Sequence, residues 1–184
     1  MEEFKRLSRD LVYEGAIIDF YKDTVQVPNG NVVKWDFIGH KGAAAVVAVR
    51  DDGKLLMVRQ YRNALDRYTL EIPAGGLNGK DEPTIVAAER ELEEETGYRT
   101  ESPLEPLITI RTTVAFCNEK IDIYVANNLK KSHQNLDEDE FINVEAWDVN
   151  DLIAQIYEGV IEDSKTVSAI MAYYHKYVAK QMNS

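Results

Sequence analysis

Residues 71–98 read Glu-Ile-Pro-Ala-Gly-Gly-Leu-Asn-Gly-Lys-Asp-Glu-Pro-Thr-Ile-Val-Ala-Ala-Glu-Arg-Glu-Leu-Glu-Glu-Glu-Thr-Gly-Tyr. Pro83 suits a first helical turn, the Ala-, Leu- and Glu-rich run from Thr84 to Thr96 predicts a helix, and Gly97 is its expected stop. On that helix Glu91, Glu94 and Glu95 stand at i, i+3 and i+4, so their side chains leave one face within about 5–6 Å of each other. Like charges that close repel. A solvated acidic face is the ordinary fate of such a run. Two neighbours argue for more: the preceding loop holds Gly75, Gly76 and Gly79, which allow close backbone approach to a ligand, and Arg90 lies where it can orient a carboxylate.

Outward from this segment the chain alternates strands and helices. Ala43–Arg50 and Lys54–Arg62, hinged at Asp51-Asp52-Gly53, are apolar almost throughout, which predicts strands covered on both faces. Residues 17–38 read as two β-rich runs about Pro28-Asn29-Gly30, a hairpin. Further strands are expected at Tyr68–Ile72, Leu107–Thr113, Ile121–Ala126 and Ile142–Asp148, and amphipathic helices near 149–158 and 164–181. The class is α/β. Neither a repeat nor a Ser/Gly linker interrupts it, and a boundary near residue 40 divides a β-rich N-terminal segment, 1–40, from a main domain, 41–184.

Composition narrows the function. In 184 residues, 45% hydrophobic and 29% charged describe an ordinary globular chain rather than a disordered or fibrous one. Thirty-two acidic against 21 basic residues give a net charge of −11, which argues against nucleic acid or an anionic membrane as partner. The single cysteine, Cys117, cannot form an internal disulfide, and the opening Met-Glu-Glu-Phe-Lys-Arg lacks a signal-peptide layout, so a cytoplasmic location is expected. Gly42–Val49, the longest apolar run, is far short of the roughly 20 residues that cross a bilayer.

Clustered carboxylates become favourable when a hard divalent cation sits among them, and Mg²⁺ or Mn²⁺ takes oxygen ligands while keeping water and substrate phosphates. His40, His133, His175 and Cys117 are scattered and show no zinc spacing. A carboxylate-held metal beside a glycine loop suits hydrolysis or transfer at phosphorus. The alternative phosphate loop, Gly-x4-Gly-Lys-Ser/Thr, is not spelled by Gly75-Gly76-Leu77-Asn78-Gly79-Lys80.

The spacing Gly76-x5-Glu82-x7-Arg90-Glu91-Leu92-x-Glu94-Glu95-x-Gly97-Tyr98 resembles the Nudix box, with Tyr98 at the last bulky position. Glu71-Ile72-Pro73-Ala74-Gly75, Arg59-Gln60-Tyr61-Arg62 and Leu136-Asp137-Glu138-Asp139-Glu140-Phe141 are similar to the ADP-ribose pyrophosphatase branch. The resemblance implies an α/β/α sandwich around a mixed sheet, with the N-terminal hairpin as a dimerisation and substrate-contact extension. It implies Mg²⁺, replaceable by Mn²⁺, held by Glu91 and Glu95 with Glu94 accessory. A loop carbonyl of Ala74 or Gly75 would join them, and Gly75 directly precedes the box glycine. Arg90 and Glu82 would buttress the loop and helix. The base for the attacking water would be Glu140, with Glu138 second. Arg62 would meet the diphosphate, and Trp35 and Asp36 would hold the adenine of a nucleoside diphosphate sugar, in a homodimer. ADP-ribose is the expected substrate; ADP-glucose, GDP-mannose or a silent nucleotide-sugar module are the alternatives. Thr113-Val114-Ala115 stands where the branch commonly has Ser-Pro-Gly, which weakens the substrate assignment and leaves the chemistry intact.

Overall fold

The computed structural model describes residues 3–79, 81–138 and 140–179, and these fall into two compact units, the first from 3–42 with 111–120 and the second from the rest of the described residues. In the first, β1 (Lys5–Glu14), β2 (Ile18–Gln26) and β3 (Val32–His40) make an antiparallel sheet in that order. The expected hairpin is β2–β3. Gly30, at φ +88°, donates its N–H to the Val27 carbonyl at 2.9 Å, a left-handed turn that a side chain would resist. Strand β1 was not expected, because Lys5–Glu14 is polar and mostly exposed. A side-chain clamp joins it to its neighbour: Arg9 grips the buried Asp23 of β2 through two hydrogen bonds, 2.7 and 2.6 Å, and lies 3.4 Å over the Phe37 ring.

The second unit is built on a mixed sheet. Its order is β12 (Asn143–Trp147), β5 (Leu55–Arg62), β4 (Ala43–Val49), β10 (Lys120–Ala126), β9 (Glu105–Arg111); β6 (Arg67–Glu71) adds to β5 and β7 (Ala74–Gly76) to β4. Strands β4 and β10 run parallel, and β4 pairs antiparallel with both β5 and β7. Side chains alternate across a strand, and β4 uses both faces. Ala43, Ala45 and Val47 pack with Leu152, Ala169 and Ile170 of α2 (Val149–Tyr157) and α3 (Ser164–Tyr173); Ala44, Val46 and Ala48 pack with Ala87, Ala88 and Leu92 of α1 (Thr84–Thr96). Helices on opposite faces of a mixed sheet are the α/β/α sandwich anticipated above. The expected long C-terminal helix is α3 followed by a π-helical turn at Tyr174–Val178. A short pair, β8 (Tyr98–Thr100) with β11 (Leu129–Lys131), completes the unit. Among the described residues no helix is long and apolar enough to cross a membrane.

Candidate active site

Helix α1 is seated by its apolar stripe, and that seating aims its acids. With Ala88 and Leu92 buried against the sheet, Glu91 and Glu95, one turn apart, are drawn in beside them at 8% and 2% exposure, while Glu94 stays at the rim. Gly97, at φ +69°, ends the helix and returns its N–H to the Glu93 carbonyl.

Strand β7 brings the glycine loop up to these acids. Ala74 N–H donates to Glu95 Oε2 at 2.9 Å. A Cβ built on Gly75 would stand 2.1 Å from Glu91 Oε1 and 2.2 Å from its Cδ, so glycine is what lets the carboxylate lie against the backbone. Arg90 is the staple across the group: its Nη1 donates to Glu91 Oε1 at 2.6 Å and Glu94 Oε2 at 2.9 Å, its Nη2 to the Gly76 carbonyl at 3.0 Å, and its Nε reaches Glu82 Oε1 at 3.5 Å. Glu82 in turn accepts the Asn78 N–H. The cleft above is lined by Gly75, Gly76, Arg90, Glu91 and Glu94 on one side and by Asn135, Asp137 and Glu140 on the other. Glu138 lies outside the lining and is exposed; Asp139 is outside the described residues.

Burial and mutual repulsion both act on the acids of this group. Burial pushes the Glu95 carboxyl up to about 8; the Ala74 N–H offsets part of this, and the Glu91 and Glu140 charges add to it. Glu91 is raised by burial, eased by Arg90 and raised again by Glu94 and Glu140. Arg90 loses some basicity to burial but gains more from Glu94 and Glu91, so it stays charged. Among the described residues no three acid, histidine or cysteine side chains close around one point, and Arg90 is spread over two of the acids. The donors nevertheless fit a hard divalent cation: carboxylate and carbonyl oxygens only, on rigid elements, with more negative charge than Arg90 balances. We expect Gly75→Ala to keep the fold by circular dichroism and to weaken Mn²⁺ binding, read by electron paramagnetic resonance, on the order of 10–100-fold, because the new methyl displaces Glu91. Unchanged affinity would mean Glu91 is no ligand.

Arg62 sits in a network that local sequence gives no reason to expect. Its Nε and Nη2 hold Glu71 at 2.8 and 2.6 Å, Lys165 holds the same carboxylate, and Lys165 Nζ lies 2.9 Å from Asp163 Oδ2. The Thr166 hydroxyl accepts the Ile72 N–H at 3.1 Å, tying the start of α3 to the loop that leads into Ala74. Burial alone raises the Glu71 carboxyl, but Arg62 and Lys165 outweigh it and hold it at about 2. An unfolded carboxyl titrates near 4.5, so this network's stabilisation is present above that pH and is lost as pH falls toward 2. The displacement is worth about 3 kcal/mol at most. In urea unfolding, Glu71→Gln is expected to be less stable than the parent by up to that amount at pH 7, with the gap closing between pH 4.5 and 2. A gap independent of pH would refute it.

Trp35 and Asp36 belong to the other unit. Trp35 is 49% exposed, its ring 6.1 Å from Phe4, and Asp36 pairs with Lys22 at 2.5 Å. The NUDIX domain family profile matches residues 39–169. The chain is 39% identical to the methanol dehydrogenase activator of Bacillus methanolicus and 38% to an ADP-ribose pyrophosphatase of Bacillus subtilis (strain 168), each over 91% of both proteins. An ADP-ribose pyrophosphatase of Mycobacterium tuberculosis is 30% identical over 94% of this chain and 84% of its own length. Among solved structures, an ADP compounds hydrolase superposes with a TM-score of 0.85 at 20% identity, covering 100% of this chain and 98% of the other, a likeness of fold.

Proposed function

The chain belongs to the NUDIX domain family and is a Nudix hydrolase, and on that premise we propose that it hydrolyses the diphosphate of ADP-ribose to AMP and ribose 5-phosphate, using Mg²⁺. The observation that carries this reading is the acid cluster of α1, in which Glu91 and Glu94 face Glu140 across one cleft and the buried Glu95 lies one turn from Glu91 and feels the Glu140 charge. Glu91 and Glu95 would hold the metal, with Glu94 accessory and the Gly75 carbonyl completing the protein's share. A divalent cation held there would supply acidification of the attacking water and neutralisation of charge on the phosphoryl oxygens. Glu140 takes the proton of the attacking water, whose oxygen bonds to phosphorus as the bridging oxygen departs with the other phosphate. Arg62, fixed by Glu71, supplies positive charge to the diphosphate, and Arg90 with Glu82 keeps the acids and the glycine loop aligned.

The test is release of phosphatase-sensitive phosphate from ADP-ribose, ADP-glucose and GDP-mannose with Mg²⁺. We expect ADP-ribose to lead in kcat/KM by at least about tenfold, the worth of one well-placed contact. GDP-mannose in front would move the substrate, and no turnover of any member would favour a binding module. The near-equal identity to a methanol dehydrogenase activator supports a second reading, in which the chain acts on a dehydrogenase. Stimulation of methanol dehydrogenase by the added chain would reveal it.

We also assign a homodimer in the cytoplasm, with the free Cys117 suited to a reducing compartment. Supporting the dimer are the apolar side chains that the N-terminal sheet leaves in solvent, among them Leu7, Leu11, Val12, Tyr13 and Trp35. Trp35 and Asp36 would serve the adenine. Trp35→Ala is then expected to raise KM for ADP-ribose about tenfold with little change in turnover, since stacking a remote base is worth roughly 1–3 kcal/mol in ground and transition states alike. Light scattering that gives a monomer at micromolar concentration would remove the dimer.

A further inference from the structure

The last turn of α1 has carbonyls that no following helical turn can reach, and a distant segment takes them. Tyr98 N–H turns aside to the Thr96 hydroxyl at 3.1 Å. The Glu94 carbonyl instead accepts the Asn135 N–H at 3.0 Å, and the Glu95 carbonyl accepts the Gln134 side chain, Nε2 to O, at 2.7 Å. Ser132 N–H closes the seam on the Gly97 carbonyl at 2.7 Å. Glu94 lines the cleft and Glu95 receives the Ala74 N–H with their carboxyl groups, while their backbone oxygens hold the next loop. Beyond the seam, Glu140 N–H donates to the Asp137 carbonyl at 3.0 Å, and Asp137 N–H donates to the Glu140 carboxylate at 3.3 Å.

We propose that Gln134 is a positioning residue for Glu140: its amide, clamped to the Glu95 carbonyl, fixes the origin of the loop that carries the base relative to the helix that carries the metal-binding acids. This rests on the reading of Glu140 as the base. A general base must stay within hydrogen-bond reach of the water it deprotonates, and a misplacement of about 1 Å can cost 10²-fold. Asp137 and Glu138, between seam and base, are exposed and so add little packing to hold that distance. The Ser132 hydroxyl adds a bond to the Glu93 carboxylate, so four bonds make the seam: two come from backbone N–H groups and two from side chains, and of those two Gln134 lies nearer the base and is the one that grips the helix backbone. A carbonyl only accepts, so the amide nitrogen is what the contact requires.

The experiment compares Gln134→Ala and Gln134→Glu, an isostere that cannot donate, with the parent, with Glu140→Gln and with the double variant Gln134→Ala/Glu140→Gln. Both Gln134 variants are expected to lower kcat about 10–100-fold on ADP-ribose, with KM within about threefold and the Mn²⁺ affinity of the substrate-free protein within about twofold. The double variant should turn over no more slowly than Glu140→Gln alone, because placing a side chain that cannot take a proton confers nothing. Gln134→Asn, which keeps a donor on a shorter arm, should recover part of the loss. If Glu140→Gln retains turnover, the base assignment fails. If that variant is impaired while Gln134→Ala is unimpaired, is fully additive with it, or loses Mn²⁺ affinity in step with kcat, the positioning role is overturned.

Discussion

Glu95→Gln is expected to lower turnover at saturating Mg²⁺ by at least about 10³, the rate equivalent of several kcal/mol of metal-derived charge stabilisation. Mn²⁺ binding to the substrate-free protein should weaken in parallel. The fold should survive, because Gln keeps an oxygen for the Ala74 N–H and removes a charge that burial already disfavours. The melting temperature of the metal-free variant should therefore stay level or rise, and added Mg²⁺ should stabilise the parent more than the variant. Near-parental turnover with parental Mn²⁺ affinity would show that Glu95 holds no metal. A collapse of the melting temperature would show instead that the Ala74 contact needs the carboxylate.

Glu140→Gln is expected to reduce turnover by about 10²–10⁴, the span of general-base loss, with KM little changed. Glu138→Gln, two residues away but outside the cleft, should change turnover by less than a few-fold. Comparing the two discriminates better than either alone, since both remove one charge from the same acidic loop and differ only in where the side chain stands. A larger defect in Glu138→Gln would transfer the role. Equal small defects would place the base elsewhere and leave the loop as an electrostatic wall.

Much of the site was legible because its information is local. The helix from Thr84 to Thr96 follows from its composition, its proline start and its glycine stop, and once the helix exists the i, i+3, i+4 spacing puts Glu91, Glu94 and Glu95 on one side. Arg90, adjacent in sequence, could be expected to orient a carboxylate among them, and it holds Glu91 and Glu94. The buried runs of β4 and β5 were equally legible, since a strand covered on both faces has nothing polar to place. Strand β1 was not: its residues are mostly exposed, and it is held by its ladder to β2 together with Arg9 reaching Asp23, fourteen positions on. Strand β7 is three residues long and exists because β4 offers it an edge.

By itself, then, the sequence determined the α/β class, the acid-bearing helix and the kind of cation such acids suit, while the three-layer arrangement came from the family resemblance. Periodicity and side-chain spacing are set by backbone geometry over a few residues, and no remote partner is needed to read them. Tertiary structure alone decided which distant groups meet the helix. It put Gly75 against Glu91, brought Lys165 and Thr166 to Glu71 and Ile72 across 94 positions, and set Glu140 rather than Glu138 into the cleft. Those meetings depend on which buried charges and unpaired backbone groups must find partners once the core has closed. That requirement exists only in the folded chain, where water no longer supplies the alternative.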